Sequence, residues 1–202
     1  LKMMSAAAAD MGIPVIYFEE APLPQRVAMD FTGINYGSSL PRDIGFYHAW
    51  AKANGVDKDA WRALKDVLTA RSSVRADVAQ DTGGAINKDE RYIFCPLQVP
   101  GDSQITIYGD WITSVSDMIG QVAQAAQSLP EGWHIRIKEH PSARTAYGDK
   151  LRALESDKLR LDNSTDTFAQ VAQSAGVLTV NSSVGLQAFF FDKPVLTLGH
   201  AF

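Results

Sequence analysis

The second half of the chain alternates short apolar runs with helical patterns, and this alternation restricts the folds that it can adopt. The apolar runs predict strands at 91–98, 133–139, 176–180 and 194–199. Helical patterns at 111–129, 167–175 and 182–191 separate them. Short strands that alternate with helices are typical of βαβ units, so we predict an α/β fold with a parallel sheet.

The first half is less regular. Its patterns predict a short buried strand at Gly12–Phe18, a long loop at Glu19–Asp43 and a helix from Asp57 to about residue 70. Residues 71–90 are polar and contain two adjacent glycines, which is typical of a connection between domains.

Composition excludes several classes of protein. The 202 residues carry a formal net charge of −4 and no basic run, so nucleic-acid binding is not indicated. Cys95 is the only cysteine and lies in an apolar run, which excludes an internal disulfide and predicts a buried thiol. No run is long and apolar enough to cross a bilayer, so we expect a cytoplasmic protein, with attachment to a membrane surface left open.

Polar residues occur where four of the predicted strands end. They are Glu19, Glu20, Asp102, His140, Asn181, Ser182 and Ser183. In an open α/β sheet, ligands bind at the carboxyl ends of the strands. Each residue alone has a plainer interpretation, as a turn former, a solvent-facing acid or a surface histidine. Acids together with an anion site at one sheet edge are what a sugar-nucleotide transferase needs.

Two of these strand ends suit an anion. Ser182 or Ser183 can cap the following helix, whose free N–H groups and dipole attract negative charge. Gly185 would let a ligand or the backbone approach this helix closely.

The second strand end that suits an anion carries His140. Pro141 disfavours helix at His140 and holds it extended, so the imidazole can donate to a phosphate. Arg136 and Lys138 have the same parity and would face the same side of a regular strand.

Five segments, taken in order, resemble the capsular polysaccharide synthesis and export family. They are "YFEEAPL", "GINYGSSLPRD", "PLQVPGDSQI", "IKEHPSA" and "TVNSSVGLQAFFFDKPVLTLGHAF". The resemblance extends from about Val15 to the end of the chain. Characterised members are bacterial β-Kdo transferases, which build the Kdo linker of capsules on a lipid acceptor.

This resemblance implies a GT-B-like α/β fold, with two Rossmann-like domains that contain parallel sheets and face a cleft. Residues 1–80 would be the last part of the acceptor-side domain plus a linker. Residues 81–202 would be the nucleotide-sugar-binding domain. A complete GT-B enzyme is longer, so we expect this sequence to be part of a longer protein.

The resemblance also implies a reaction. The donor would be CMP-Kdo, the acceptor a lipid-linked saccharide, and the anomeric configuration retained, with no metal or other cofactor. Other capsule assembly proteins at the inner membrane are possible partners. Asp102 would be the nucleophile, and Glu19, with Glu20 as second choice, the acid/base.

The implied nucleotide site contains more residues. His140 with Pro141 would bind the CMP phosphate, and Asn181, Ser182, Ser183 and Gly185 would complete the cradle. Gln98 and Lys138 would be their immediate neighbours.

One segment departs from the family. Its members tend to follow the first acidic pair with glycine, an aromatic residue and a basic residue, whereas this chain continues "EEAPLPQR". Arg26 or Arg42 could supply the missing positive charge. Two other functions stay open. One is a non-catalytic capsule export or assembly component, and the other is a different nucleotide-sugar enzyme, either sialyltransferase-like or a 2-epimerase.

Overall fold

A computed structural model describes residues 2–57, 59–83 and 86–201. The chain divides into two compact units, one up to residue 60 and the other from residue 61 to residue 201. The predicted boundary between residues 80 and 81 lies within the second of these units and stays a prediction.

The first unit contains two helices and a β-hairpin. Its elements are α1 (Lys2–Asp10), β1 (Tyr17–Glu20), β2 (Val27–Asp30), a 3-10 turn (Asn35–Gly37) and α2 (Ile44–Asn54). The predicted buried strand at Gly12–Phe18 was wrong, because the strand begins at Tyr17 and pairs antiparallel with β2 on a half-exposed ribbon. Glu19 and Glu20 therefore lie inside a strand rather than after one.

Burial differs sharply between the units. Among residues 3–57, the only buried residue is Gly33, at which an added Cβ would clash with the carbonyl oxygen of Gly37. The described apolar core is therefore in the second unit.

The second unit is a five-stranded parallel sheet flanked by helices. Its strands are β3 (Arg91–Pro96), β4 (Trp133–Lys138), β5 (Leu159–Leu161), β6 (Gly176–Thr179) and β7 (Val195–Thr197). Its helices are α3 (Ser103–Tyr108), α4 (Val115–Ala126), α5 (Gly148–Leu154), α6 (Thr167–Gln173) and α7 (Ser183–Ala188), with 3-10 helices at Ala60–Val67 and Phe189–Phe191. The strand order β5-β4-β3-β6-β7 is Rossmann-like and confirms the predicted parallel sheet.

Two helical predictions needed correction. The stretch 111–129 is not one helix, because α4 begins only after Ser114, whose side chain accepts a hydrogen bond from the Asp117 N–H. The helix predicted from Asp57 is a 3-10 helix at Ala60–Val67. The sequence patterns missed α5 and β5, which are seven and three residues long.

The core lies on both faces of the sheet because successive strand residues point to opposite sides. One cluster joins α4 to β3, β4 and β6 and includes Cys95. Burial raises the pKa of the Cys95 thiol to about 12. The other joins Tyr92 and Phe94 to α6 and α7. The prediction of a buried thiol is confirmed.

His134 lies buried at the amino end of β4 and stacks on Tyr92, with ring centroids 5.6 Å apart. Within the described residues, its Nε2 has no hydrogen-bond partner. Burial, followed by the positive charges of Arg160 and Arg136, lowers the pKa of His134 to about 4, against a weaker opposing effect of Glu90. The imidazole is therefore neutral at pH 7.

We expect acid to destabilise the fold through His134. The unfolded chain, with an imidazole pKa of 6.5, binds this proton before the folded chain does, so stability falls as the pH falls from about 6.5 to 4. The free energy of unfolding should drop by about 3 kcal/mol from this group, as measured by urea unfolding across that range. His134→Phe keeps the ring stacking and should reduce the drop by this amount. An equal acid sensitivity in both proteins would contradict the prediction.

Candidate functional site

The polar strand ends of the second unit meet at the carboxyl edge of the sheet. The chain leaves β3 toward β4 and β5 on one side, while β6 and β7 lie on the other. The carboxyl ends of β3 and β6 therefore flank the topological switch point, where open α/β sheets bind ligands.

A buried amide pair joins the two strands at this point. Gln98 Nε2 donates to Asn181 Oδ1 at 2.9 Å, and the Asn181 backbone N–H donates to Gln98 Oε1 at 3.3 Å. Asn181 Nδ2 donates in turn to the carbonyl oxygen of Gln104 at 2.7 Å. Gln98 and Asn181 thus fix the ends of β3, β6 and α3 relative to one another.

Asp102 lies between β3 and α3. It ends a turn in which the Asp102 N–H donates to the Val99 carbonyl and Gly101 has a φ of 77°, a backbone conformation that favours glycine. Asp102 Oδ1 caps α3 by accepting from the Gln104 N–H at 2.9 Å. The carboxylate is half-buried and held in a fixed place by this cap.

His140 follows β4 and is also half-buried. Its Nδ1 accepts from the Ser142 N–H at 3.1 Å, so the neutral imidazole carries its proton on Nε2. Burial lowers the pKa of His140, Arg71 lowers it further and Asp102 raises it. The charges of Arg71 and Asp102 therefore both act on this ring, and Asp102 and His140 follow neighbouring strands at the same edge of the sheet.

Parity predicted that Lys138 and Arg136 would face the same side as His140, but the side chains of both are bonded to other parts of the fold. Lys138 is 2% exposed and its Nζ donates to the carbonyls of Ala79, Asn163 and Thr165 at 2.6, 3.0 and 2.7 Å. Burial lowers the pKa of Lys138 to about 8. The Arg136 guanidinium is paired with Glu90 and Asp162. Both cations hold the fold together.

Residues 71–81, which we call the strap, bind along the second unit instead of forming a free connection. The Val74 N–H and Ser73 Oγ donate to the Pro141 carbonyl at 3.0 and 3.2 Å. Further along the strap, the Ala79 N–H donates to the Asn163 carbonyl at 2.7 Å. This docking could not be predicted from sequence because the strap is a polar run without a strand or helix period.

A buried carboxylate anchors the strap. Glu139 is 2% exposed and pairs with Arg75, with 3.1 Å between Oε1 and Nη1. It also accepts from Asn163 Nδ2 at 2.8 Å and from the Tyr147 N–H at 2.5 Å. Burial opposes ionisation, but these hydrogen bonds outweigh it and lower the pKa of Glu139. The strap and the His140-Pro141 step are thus held by one network.

The start of α7 contains the predicted serines. Ser182 Oγ caps the helix by accepting from the Val184 N–H at 3.2 Å, and Ser183 is the first helical residue. At Gly185, an added Cβ would lie 3.2 Å from Thr179 Cγ2 and 3.3 Å from Val195 Cγ1. The close approach that Gly185 permits is therefore the packing of α7 on β6 and β7.

The acidic pair and Arg42 belong to the first unit. Glu19 is half-buried, and its Oε1 accepts from the N–H of the exposed Glu20 at 3.0 Å. The Arg42 guanidinium donates to four carbonyls of the loop before it, those of Asn35, Tyr36, Ser38 and Leu40. Arg42 therefore shapes this loop, while Arg26 lies exposed beside the hairpin.

Comparison with known proteins identifies the family. Residues 57–202 match the family model described as "Capsule polysaccharide biosynthesis protein". The chain belongs to this family. The resemblance found in five short segments is thereby confirmed.

Relatives in the family are longer than this chain. Protein FixF of Sinorhizobium fredii is 30% identical over 194 residues, which are 96% of this chain and 44% of FixF. The capsule polysaccharide export protein KpsS of Escherichia coli is 24% identical, over 94% of this chain and 61% of KpsS. The chain thus spans about half the length of these relatives.

Solved structures show the same fold. The "beta Kdo 2,4 transferase" of Thermosulfurimonas dismutans KpsC superposes with a TM-score of 0.69 at 16% identity, covering 98% of this chain and 65% of that one. The "beta Kdo 2,7 transferase" gives 0.59 at 16% identity, covering 97% and 63%. The GT-B-like fold class is confirmed.

No helix in residues 2–57, 59–83 and 86–201 is long and apolar enough to span a membrane. In the same part of the chain, no three His, Cys, Asp or Glu side chains are grouped so that they could hold a metal ion.

Proposed function

We propose that the protein is a retaining glycosyltransferase of capsular polysaccharide biosynthesis, which transfers Kdo from CMP-Kdo to a lipid-linked saccharide. The observation that carries the proposal is that Asp102 and His140 follow the adjacent strands β3 and β4 at the carboxyl edge of a Rossmann-like sheet, beside its switch point. Membership of the capsule family and the GT-B-like fold support it.

In the first step, the Asp102 carboxylate attacks the anomeric carbon of Kdo. The bond between that carbon and the CMP phosphate oxygen breaks, and CMP leaves with the electron pair as an anion. The product is a glycosyl ester on Asp102. Oδ1 accepts the hydrogen bond that caps α3, so an attack by the other carboxylate oxygen would leave the cap intact.

In the second step, an acceptor hydroxyl attacks the anomeric carbon and displaces Asp102, which restores the original configuration. Glu19 accepts the hydroxyl proton, with Glu20 as the alternative base. Both residues lie on β1 of the first unit.

The departing phosphate needs donors. His140 supplies its Nε2–H, because Nδ1 is occupied by the Ser142 N–H. Ser182 and Ser183 supply hydroxyl or backbone donors at the start of α7. The remaining predicted residues, Gln98, Lys138, Pro141, Asn181 and Gly185, support the site by fixing the backbone around it.

His140→Ala is expected to weaken CMP binding about tenfold or more, since it removes a hydrogen bond to a charged group. Calorimetric titration of CMP and UDP into the wild type and the variant measures this. The matched control is His48→Ala, which removes an exposed histidine on α2 and should leave CMP binding unchanged. Wild-type binding of CMP but not UDP is the expected pattern. Equal CMP affinity in the wild type and His140→Ala would contradict the assigned role.

A second candidate is a non-catalytic capsule export or assembly protein, which the name of the relative KpsS favours. The same titration distinguishes the two functions. Absence of binding to both nucleotides would favour the assembly role. A preference for UDP would instead point to another nucleotide-sugar enzyme, such as a 2-epimerase.

A further inference from the structure

His140 lies in the loop of residues 139–147, which connects β4 to α5. The loop sequence, "EHPSARTAY", contains one large hydrophobic side chain, that of Tyr147, so the loop depends on hydrogen bonds for a fixed conformation. A ligand-binding side chain on a loop without a fixed conformation loses binding free energy to the ordering of that loop. The groups that hold this loop therefore bear on what His140 can bind.

The carboxylate of Glu139 closes the loop. Its Oε1 accepts from the Tyr147 N–H at 2.5 Å, which joins the first residue of the loop to the last. Asn163 holds Glu139 at two points, since its Oδ1 accepts from the Glu139 N–H at 3.0 Å and its Nδ2 donates to Oε2 at 2.8 Å. The Arg75 guanidinium donates to both Glu139 oxygens at 3.1 and 3.3 Å and to the Thr145 carbonyl at 3.2 Å. Glu139 is thus buried and directed into the fold, although it directly precedes His140.

The strap holds the loop from a second direction. The carbonyl of the buried Pro141 accepts from the Val74 N–H at 3.0 Å and from Ser73 Oγ at 3.2 Å. Ser73 Oγ itself accepts from the Arg75 N–H at 3.1 Å. One short run of the strap therefore binds the residue that follows His140 and also supplies the cation that binds the residue before it.

The turn that these groups hold sets the direction of the imidazole. The His140 carbonyl accepts from the Ala143 N–H at 3.0 Å, and His140 Nδ1 accepts from the Ser142 N–H at 3.1 Å. Both bonds lie within the turn 140–143, so they hold only while the backbone keeps this conformation. They assign Nε2 as the ring nitrogen that carries the proton and donates to a ligand.

We propose that Ser73 and the Arg75–Glu139 pair are positioning residues that hold the Nε2–H of His140 in the orientation that binds the nucleotide phosphate. This inference rests on the proposed function and gives three further residues a part in nucleotide binding. They act through His140 and not through contacts with the nucleotide. A donor that is held in place before the ligand arrives binds more tightly than one that must be ordered at that moment.

The test compares titrations of CMP and cytidine into the wild type, Ser73→Ala and Glu139→Gln. CMP should bind about threefold more weakly to Ser73→Ala and about tenfold more weakly to Glu139→Gln. The affinity for cytidine should not change, because cytidine lacks the phosphate. Ser73→Thr keeps the hydroxyl and should bind CMP as the wild type does. Ser73→Ala should have no further effect in a His140→Ala background, since Ser73 acts through His140.

The imidazole tautomer gives a second readout that needs no nucleotide. Nitrogen-15 NMR of the histidine rings, with His140 assigned from its absence in His140→Ala, should show one tautomer in the wild type, protonated at Nε2. Ser73→Ala and Glu139→Gln should show a mixture of tautomers, because a loosened turn no longer holds the Ser142 N–H against Nδ1. Ser73→Ala keeps the Arg75–Glu139 pair, so it tests the inference even where Glu139→Gln unfolds the chain.

Ser174→Ala is the matched control, because it also removes a hydroxyl that donates to a backbone carbonyl, that of Val171 at 2.9 Å. It should bind CMP as the wild type does and keep the His140 tautomer. Unchanged CMP binding in Ser73→Ala, or an equal loss in Ser174→Ala, would overturn the inference while leaving the proposed function intact. A wild-type protein that does not bind CMP would overturn both.

Discussion

Asp102→Asn is expected to lower the turnover of CMP-Kdo about 1,000-fold or more, because an amide cannot form the glycosyl ester. This loss corresponds to about 4 kcal/mol of transition-state stabilisation. Binding of CMP should change by less than about threefold, since asparagine caps a helix as well as aspartate does and α3 therefore keeps its cap. Single-turnover assays with CMP-Kdo and an acceptor glycan, together with CMP titration, measure the two effects.

Asp110→Asn is the matched control for this substitution. Asp110 is exposed, lies eight residues further along the chain and has a φ of 56°, which asparagine tolerates. Its turnover should equal that of the wild type. Turnover of Asp102→Asn within about threefold of the wild type would remove Asp102 as nucleophile. A loss of CMP binding in that variant would show that the change disturbed the site rather than the chemistry.

The parallel sheet could be predicted because its inner strands are apolar enough to be recognised locally. β3, β4 and β6 are buried on both faces, and each of their runs is almost continuously apolar or alternates clearly. Once the ends of these strands were known, Asp102 and His140 had to lie on one edge. The central part of the candidate site thus followed from periodicity and topology.

Short or interrupted elements could not be found in this way. β5 has three residues at the edge of the sheet, which is too few for a period to emerge. Ile112 is fully buried and continues the apolar stripe of α4, yet it lies in the turn before Ser114 starts that helix. A buried loop residue at helical spacing cannot be told from a helical one by its pattern.

The role of a polar side chain depends on partners that are distant in sequence. Parity placed Lys138 on the same side of β4 as His140, but its three carbonyl partners lie in the strap and in the segment after β5. Similarly, the sequence predicts that another group packs closely against Gly185, but only the structure shows that this group is the side chains of Thr179 and Val195. Sequence patterns predict which residues are available and not which contacts use them.

Removing the strap is expected to lower the free energy of unfolding strongly, and two shortened chains test this. A chain that begins at Trp61 keeps the strap and should unfold cooperatively, because the described apolar core lies in the second unit. A chain that begins at Thr82 lacks the strap. It should lose at least about 3–5 kcal/mol of the free energy of unfolding, since buried Glu139 loses its Arg75 partner. Lys138 also loses the Ala79 carbonyl, and the buried Val78 is removed. Urea unfolding followed by circular dichroism measures the difference.

A point substitution separates the ion pair from the rest of the strap. Arg75→Met should destabilise the full chain by about 3 kcal/mol, because it leaves the Glu139 carboxylate buried without its cation. Arg62→Met is the matched control, since Arg62 pairs with Asp192 at an exposed position and its loss should cost less than about 1 kcal/mol. Equal unfolding midpoints for the chains that begin at Trp61 and Thr82 would mean that residues 71–81 are the simple connection indicated by their composition. Loss of stability only in the chain that begins at Thr82 and in Arg75→Met would show that the strap is a stabilising part of the second unit.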